Sequence, residues 1–136
     1  FGPAERQRLI ELCRAVRARG GKVAFDPNYR QRGWAAPDHA RQAFAAIARH
    51  VDFALPTFDD EADLHGDSSP EDCLRRWTSW GAVEVAVKLG ANGALAGGPD
   101  GVVMVATQPD PWPRDTTGAG DGFNAAYLVA RRRGES

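Results

Sequence analysis

Asp115, Thr116, Thr117, Gly118, Ala119, Gly120 and Asp121 stand in a row between a β-rich stretch and the amphipathic run from Gly122 to Arg133. Three small residues together let a backbone come very close to whatever lies above them. A helix that begins there aims its unpaired N–H groups and the positive end of its dipole at the same spot. The result is an anion site made of main chain, suited to a phosphate or to charge developing on a phosphoryl group. Asp121 does not belong in a passive anion cradle, because a carboxylate beside a phosphate is repulsive. Proton abstraction from an attacking hydroxyl would give it a task there. Capping the helix is the alternative, and for an isolated Gly-x-Gly-Asp it is the ordinary one.

The elements that must carry this loop follow from periodicity and punctuation. Ala4 to Arg19 reads as a helix with Leu9, Leu12, Cys13 and Val16 in one stripe, closed by Gly20-Gly21. Lys22 to Asp26 is a short strand stopped by Pro27, and Pro37 to His50 a helix with Ala40, Phe44 and Ile47 in phase with Val51. Val51 to Leu55 is a strand stopped by Pro56. Phe58 to His65 is a short helix ended by Gly66, and Ser69-Pro70 opens another that carries Cys73, Leu74, Trp77 and Trp80 inward and ends at Gly81. Val83 to Leu89 is a strand apolar on both faces. Gly93 to Gly97 and Val102 to Ala106 form a hairpin turned by Pro99-Asp100-Gly101.

This alternation predicts a parallel sheet with helices on its faces and an antiparallel hairpin at one edge. Ligands of such sheets bind beyond the carboxyl ends of the strands. The polar and Gly-rich loops all fall there: Asp26 to Arg30, Pro56 to Glu61, Lys88 to Gly93 and the Gly118 loop. Each also has a plainer reading. Asp26 and Asn28 suit a turn, Arg30 a solvated surface, and Asn92-Gly93 a tight turn. The acids Asp59, Asp60 and Glu61 suit the first turn of a helix. Trp34 reads as packing.

Composition narrows the function classes. The 136 residues hold 17 Lys and Arg against 18 Asp and Glu, so no general affinity for nucleic acid or anionic membrane is expected. Lys22 and Lys88 are the only lysines, and Arg131 to Arg133 reads as a solvated helix end. Cys13 and Cys73 lie far apart among apolar residues, which predicts two buried thiols in a reducing compartment, hence a cytoplasmic protein. His39, His50 and His65 share no metal-ligand spacing. The chain opens on Phe1-Gly2-Pro3, and an internal segment of a longer protein is expected.

The seven-residue string resembles the signature of the ribokinase-like sugar kinases, also called PfkB carbohydrate kinases, and the likeness runs through almost the whole chain. The resemblance implies a three-layer α/β sandwich with a mostly parallel sheet, here incomplete because the lid and first strands are absent, so that 1–136 make up a partial kinase domain. It implies ATP-dependent phosphorylation of a sugar hydroxyl, with Asp121 as catalytic base and substrate contact, and Gly118, Ala119, Gly120 and Asp121 as the anion hole. It places ATP near Lys88, Gly90, Gly93 and Asn28. It places water-held Mg2+ at Glu61, with Asp60 as the competing position, and a monovalent cation at Asp115 and Thr117. Asp26-Pro27-Asn28-Tyr29-Arg30, followed by Gly33-Trp34, is similar to 2-keto-3-deoxygluconate kinases, and Arg30 suits a sugar-acid carboxylate. A neutral-sugar kinase and a non-catalytic nucleotide-binding fragment are the alternatives, and a homo-oligomer is left open for the complete enzyme.

Overall fold

The computed structural model describes residues 2–108 and 116–135. Helix α1 (Pro3–Ala18) leads to β1 (Ala24–Phe25), α2 (Pro37–Ala48), β2 (Phe53–Ala54), α3 (Phe58–His65), α4 (Pro70–Trp80) and β3 (Glu84–Lys88). The hairpin β4 (Ala94–Gly98) and β5 (Gly101–Val105) follows, then α5 (Ala119–Arg132). The five strands form one sheet in chain order, with β1, β2 and β3 parallel and β4 and β5 antiparallel. No helix among the described residues is long and apolar enough to cross a membrane.

Start and stop signals explain the boundaries. Ser69 caps α4 by accepting from the Asp72 amide, and Gly66 and Gly81 end α3 and α4 in the left-handed conformation. The first two strands are shorter than the periodicity predicts. Asp52 accounts for part of this, since its carboxylate takes the Val23 amide and Lys22 where a longer ladder would run.

One core cluster lies between β1–β4 and the helices α1 to α4. Phe25, Phe44 and Trp77 form its centre, and Trp34 packs edge-on against Phe44 with centroids 5.5 Å apart. The stripe expected on α1 is turned by part of a helical step: Ile10 and Cys13 are buried while Leu12 is exposed. Strand β3 is buried on both faces. Val85 and Val87 join the core, whereas Glu84 and Lys88 bond to α5 on the other side. The arrangement is therefore three-layered.

Helix α5 has no buried residue. Instead Asn124, Tyr127 and Arg131, spaced i, i+3, i+7 on one face, bond to Lys88, Glu84 and Glu84 of β3 at 3.3, 2.5 and 2.8 Å. The helix thus runs antiparallel to β3, and its first turn arrives at the strand's carboxyl end.

Candidate active site

Parallel pairing puts the carboxyl ends of β1, β2 and β3 on one edge, so the loops beginning at Asp26, Pro56 and Lys88 share a rim with the start of α5. A parallel bridge from Thr57 to Lys88 extends the pairing of β2 and β3 past the strands proper. Here Lys88, buried at the end of β3, places its ammonium 2.5 Å from Asp26 Oδ2 and 3.3 Å from Asn124 Oδ1. Asn124 Nδ2 donates to the same Asp26 oxygen at 2.7 Å, which closes a three-residue ring.

Above this ring lies the Gly118 loop. Gly118 is the N-cap of α5 and holds φ 76°, left-handed backbone that glycine adopts without a Cβ penalty. Among the described residues no side chain caps the helix, and residues 116–122 are exposed. The amides of Gly120 and Asp121 have no acceptor within the helix and are available to a ligand, whereas that of Ala119 bonds back to the Thr116 carbonyl at 3.1 Å. A side chain at Gly118 or Gly122 would meet nothing within 4 Å, and one at Gly120 would meet only the Lys88 ammonium at 3.7 Å. The loop is open above and charged beneath. Asp121, also exposed, follows in the same turn.

The Asp26 loop turns back on itself. Asp26 Oδ1 accepts the Asn28 amide at 3.0 Å, and Asn28 takes φ 37°, the left-handed region that Asn tolerates. Arg30 donates from Nη1 to the Tyr29 carbonyl at 2.7 Å and to Asp60 Oδ2 at 3.1 Å, and stays largely exposed. Tyr29, Arg30, Arg41, Asp60 and Asp63 line a polar cleft beside it.

Two glycines of the Lys88 loop differ. Gly90 holds φ 58° and faces open space. Gly93 holds φ 100°, and a Cβ there would stand 1.9 Å from the Val105 carbonyl oxygen. Close packing of the hairpin is therefore sufficient reason for Gly93. Thr117 adjoins the cap; Asp115 lies outside the described residues.

Glu61 is where the structure corrects the sequence. Its side chain is fully buried between α3 and α4, not turned to the rim. Arg76 and Trp77 Nε1 donate to Oε2 at 2.7 and 2.9 Å, and Arg76 also pairs with Asp67. Burial pushes the Glu61 carboxyl above its ordinary range, against the pull of Arg76 and Trp77. Cys73 joins Glu61 and Asp67 in a group close enough to hold a cation, but the Arg76 guanidinium already takes that place. Asp60, the competing position, is an acid on the rim, its partly exposed carboxylate paired with Arg30 at 3.1 Å.

The pfkB family carbohydrate kinase profile matches residues 3–136. The chain belongs to that family. It is 41% identical over its whole length to 2-dehydro-3-deoxygluconokinase of Escherichia coli strain K12, of which it covers 45%. The crystal structure of a PfkB protein from Polaromonas sp. JS666 superposes with TM-score 0.83 at 36% identity, covering 95% of this chain and 42% of that one. A putative ribokinase II from E. coli in complex with ATP and Mg2+ gives 0.74 at 30% identity, covering 90% and 39%. The chain thus spans less than half the length of the pfkB relatives it matches.

Within this pfkB fold, Asn124 is the site residue that sequence reading missed. Its signal was present: Asn124, Tyr127 and Arg131 make a polar stripe at helical spacing, opposite Glu84 and Lys88 on a strand otherwise apolar.

Proposed function

We propose that these residues form the catalytic half of an ATP-dependent kinase acting on a sugar-acid hydroxyl, with 2-keto-3-deoxygluconate as substrate and its 6-phosphate as product. The observation that carries this is the uncapped, open first turn of α5 with Asp121 in it, above the buried Lys88 ammonium. Asp121 takes the proton from the attacking hydroxyl, and the amides of Gly118, Gly120 and Asp121 hold the charge that develops on the phosphoryl group, that of Ala119 being taken by the Thr116 carbonyl. Gly90 and Asn28 border the nucleotide, and Thr117 serves a monovalent cation. Magnesium, held through water by Asp60, supplies neutralising charge on the phosphates. Two buried free thiols, Cys13 and Cys73, suit a cytoplasmic setting.

Arg30 sets the substrate class. Both of its bonds here run from Nη1, which leaves the rest of the guanidinium fork to an incoming carboxylate. The rival is a neutral-sugar kinase in which Asp60 is the final partner of Arg30, an option the 3.1 Å ion pair favours.

The test uses the full-length protein containing these residues and an ADP-release assay. Asp121→Asn is expected to lower turnover by roughly two to four orders of magnitude with ATP affinity nearly unchanged. Near-normal turnover would remove Asp121 from the base role. Arg30→Ala is expected to weaken the sugar acid by roughly 10- to 150-fold, about 1.5–3 kcal/mol for a charge-assisted bond, and fructose far less. Equal effects on both sugars would favour the neutral-sugar kinase.

A further inference from the structure

We infer that Asn124 is a positioning residue for the phosphoryl site. With Asp26 and Lys88 it fixes the first turn of α5, and so Asp121 and the Gly118 to Gly120 amides, over the ends of β1 and β3. This inference rests on the kinase reading for what the loop does, but not for how the loop is held.

The two ends of α5 are pinned in opposite electrical senses. At the carboxyl end Arg131 meets Glu84, a cation where the helix dipole is negative, which is the stabilising arrangement. At the amino end the Lys88 ammonium sits beside Gly120, where the dipole is already positive. A pin serving stability alone would not bring a buried cation there, because desolvating it costs several kcal/mol and the helix end repels it. Two positive features meeting at one point are what an anion site needs. Asp26 balances the ammonium from below and leaves the upper side to the loop.

Asn124 makes that balance hold its shape. Lys88 has only donors and an ionised Asp26 only acceptors, so the amide must turn its oxygen to Lys88 and its nitrogen to Asp26. Only a side chain with both functions can close the ring. Asn124 lies four residues after Gly120 and three after Asp121, one helical turn below both on the same side. Rotation or lift of the first turn would break both of its bonds. Its partners come from segments 98 and 36 residues away, so the ring joins β1, β3 and α5 at a single point.

The experiment uses full-length protein, with Asn124→Ala and Asn124→Asp. Asn124→Ala is expected to lower kcat by about 10- to 100-fold, the effect of a misplacement near 1 Å, with sugar KM within about twofold. Hydrogen–deuterium exchange at the amides of Ala119 and Gly122, which bond back to the Thr116 and Gly118 carbonyls, is expected to rise by about tenfold or more, and this readout needs no substrate. In N124D the new carboxylate cannot donate to Asp26 until one of the two is protonated. The Asp26 carboxylate raises the pH at which that happens and the Lys88 ammonium facing both lowers it, and one cation against two carboxylates leaves the net shift upward. The ratio of N124D to wild-type kcat is therefore expected to rise several-fold between pH 8 and pH 5.5, a recovery that a purely structural role does not produce. Unchanged exchange at Ala119 and Gly122, or an N124D ratio flat with pH, overturns the inference, and should Asn124→Ala not fold, N124D decides alone. An inactive wild type would refute the kinase reading, while faster exchange in Asn124→Ala would still support the positioning role.

Discussion

Protonation of His65 is expected to drive much of the acid unfolding of this fold. The ring is buried against the edge of Trp80, 5.3 Å between centroids, and its Nε2 lies without a hydrogen-bond partner 3.8 Å from Glu61 Oε2. Glu61 is already engaged by Arg76 and Trp77, so it has little left for an imidazolium. Burial, then the nearby Arg76 and Arg41 charges, lower the His65 pKa to about 4, with Asp67 opposing them. The folded state thus prefers the neutral ring, and the unfolded chain binds the proton more readily. The stabilising contribution is complete above about pH 6.5 and disappears as pH falls through 4. A shift of this size corresponds to a ceiling of about 3 kcal/mol, and partial access of water to the cluster reduces the expected value to about 2 kcal/mol. Urea unfolding of the full-length protein and of His65→Gln, at half-unit steps from pH 7.5 to 4, measures the difference between the two curves. Parallel curves over that range would refute the assignment.

Gly93→Ala is expected to destabilise by roughly 2–4 kcal/mol, from positive φ and from collision with the Val105 carbonyl, whereas Gly90→Ala incurs backbone strain alone. Thermal melts of the two variants check the ordering. Arg76→Met leaves the Glu61 and Asp67 carboxylates buried without their cation and is expected to lose about 3–5 kcal/mol in denaturant unfolding. A loss below about 1 kcal/mol would mean that water already screens the cluster.

The layer order and the rim of loops were legible because punctuation is local. Pro27 and Pro56 stop strands, Gly66 and Gly81 stop helices, and Ser69-Pro70 starts one, each through its own backbone chemistry. The facing of individual side chains was less legible. Asp59, Asp60 and Glu61 are equivalent as first-turn acids, and what separates them is helix phase. Glu61 shares its face with Leu64 and His65, three and four residues on, and that face packs on α4. Phase also misled on α1, where Leu12 sits at good spacing from Leu9 and Val16 yet points to solvent, because Ile10 and Cys13 are the residues of α1 that turn inward. Lys88 was read from the sequence as a charge for phosphate, and the structure puts it beside Gly120. Its ring with Asp26 and Asn124 was not legible, since three segments distant in sequence meet there and no local pattern reports a meeting.

The ring that joins Asp26 to Asn124 also has a consequence for the order in which the chain folds. Each strand pairs with the one made just before it, so the sheet grows by short closures as synthesis proceeds. The bond from Asn124 to Asp26 closes 98 residues at once. Each doubling of a closed loop costs about 0.6 kcal/mol more, so this contact forms after the nearer ones. A nascent chain halted before Asn124 can assemble its strands but has no means of seating the helix that carries Asp121. The sheet accumulates in steps, and the proposed catalytic loop is set in place last.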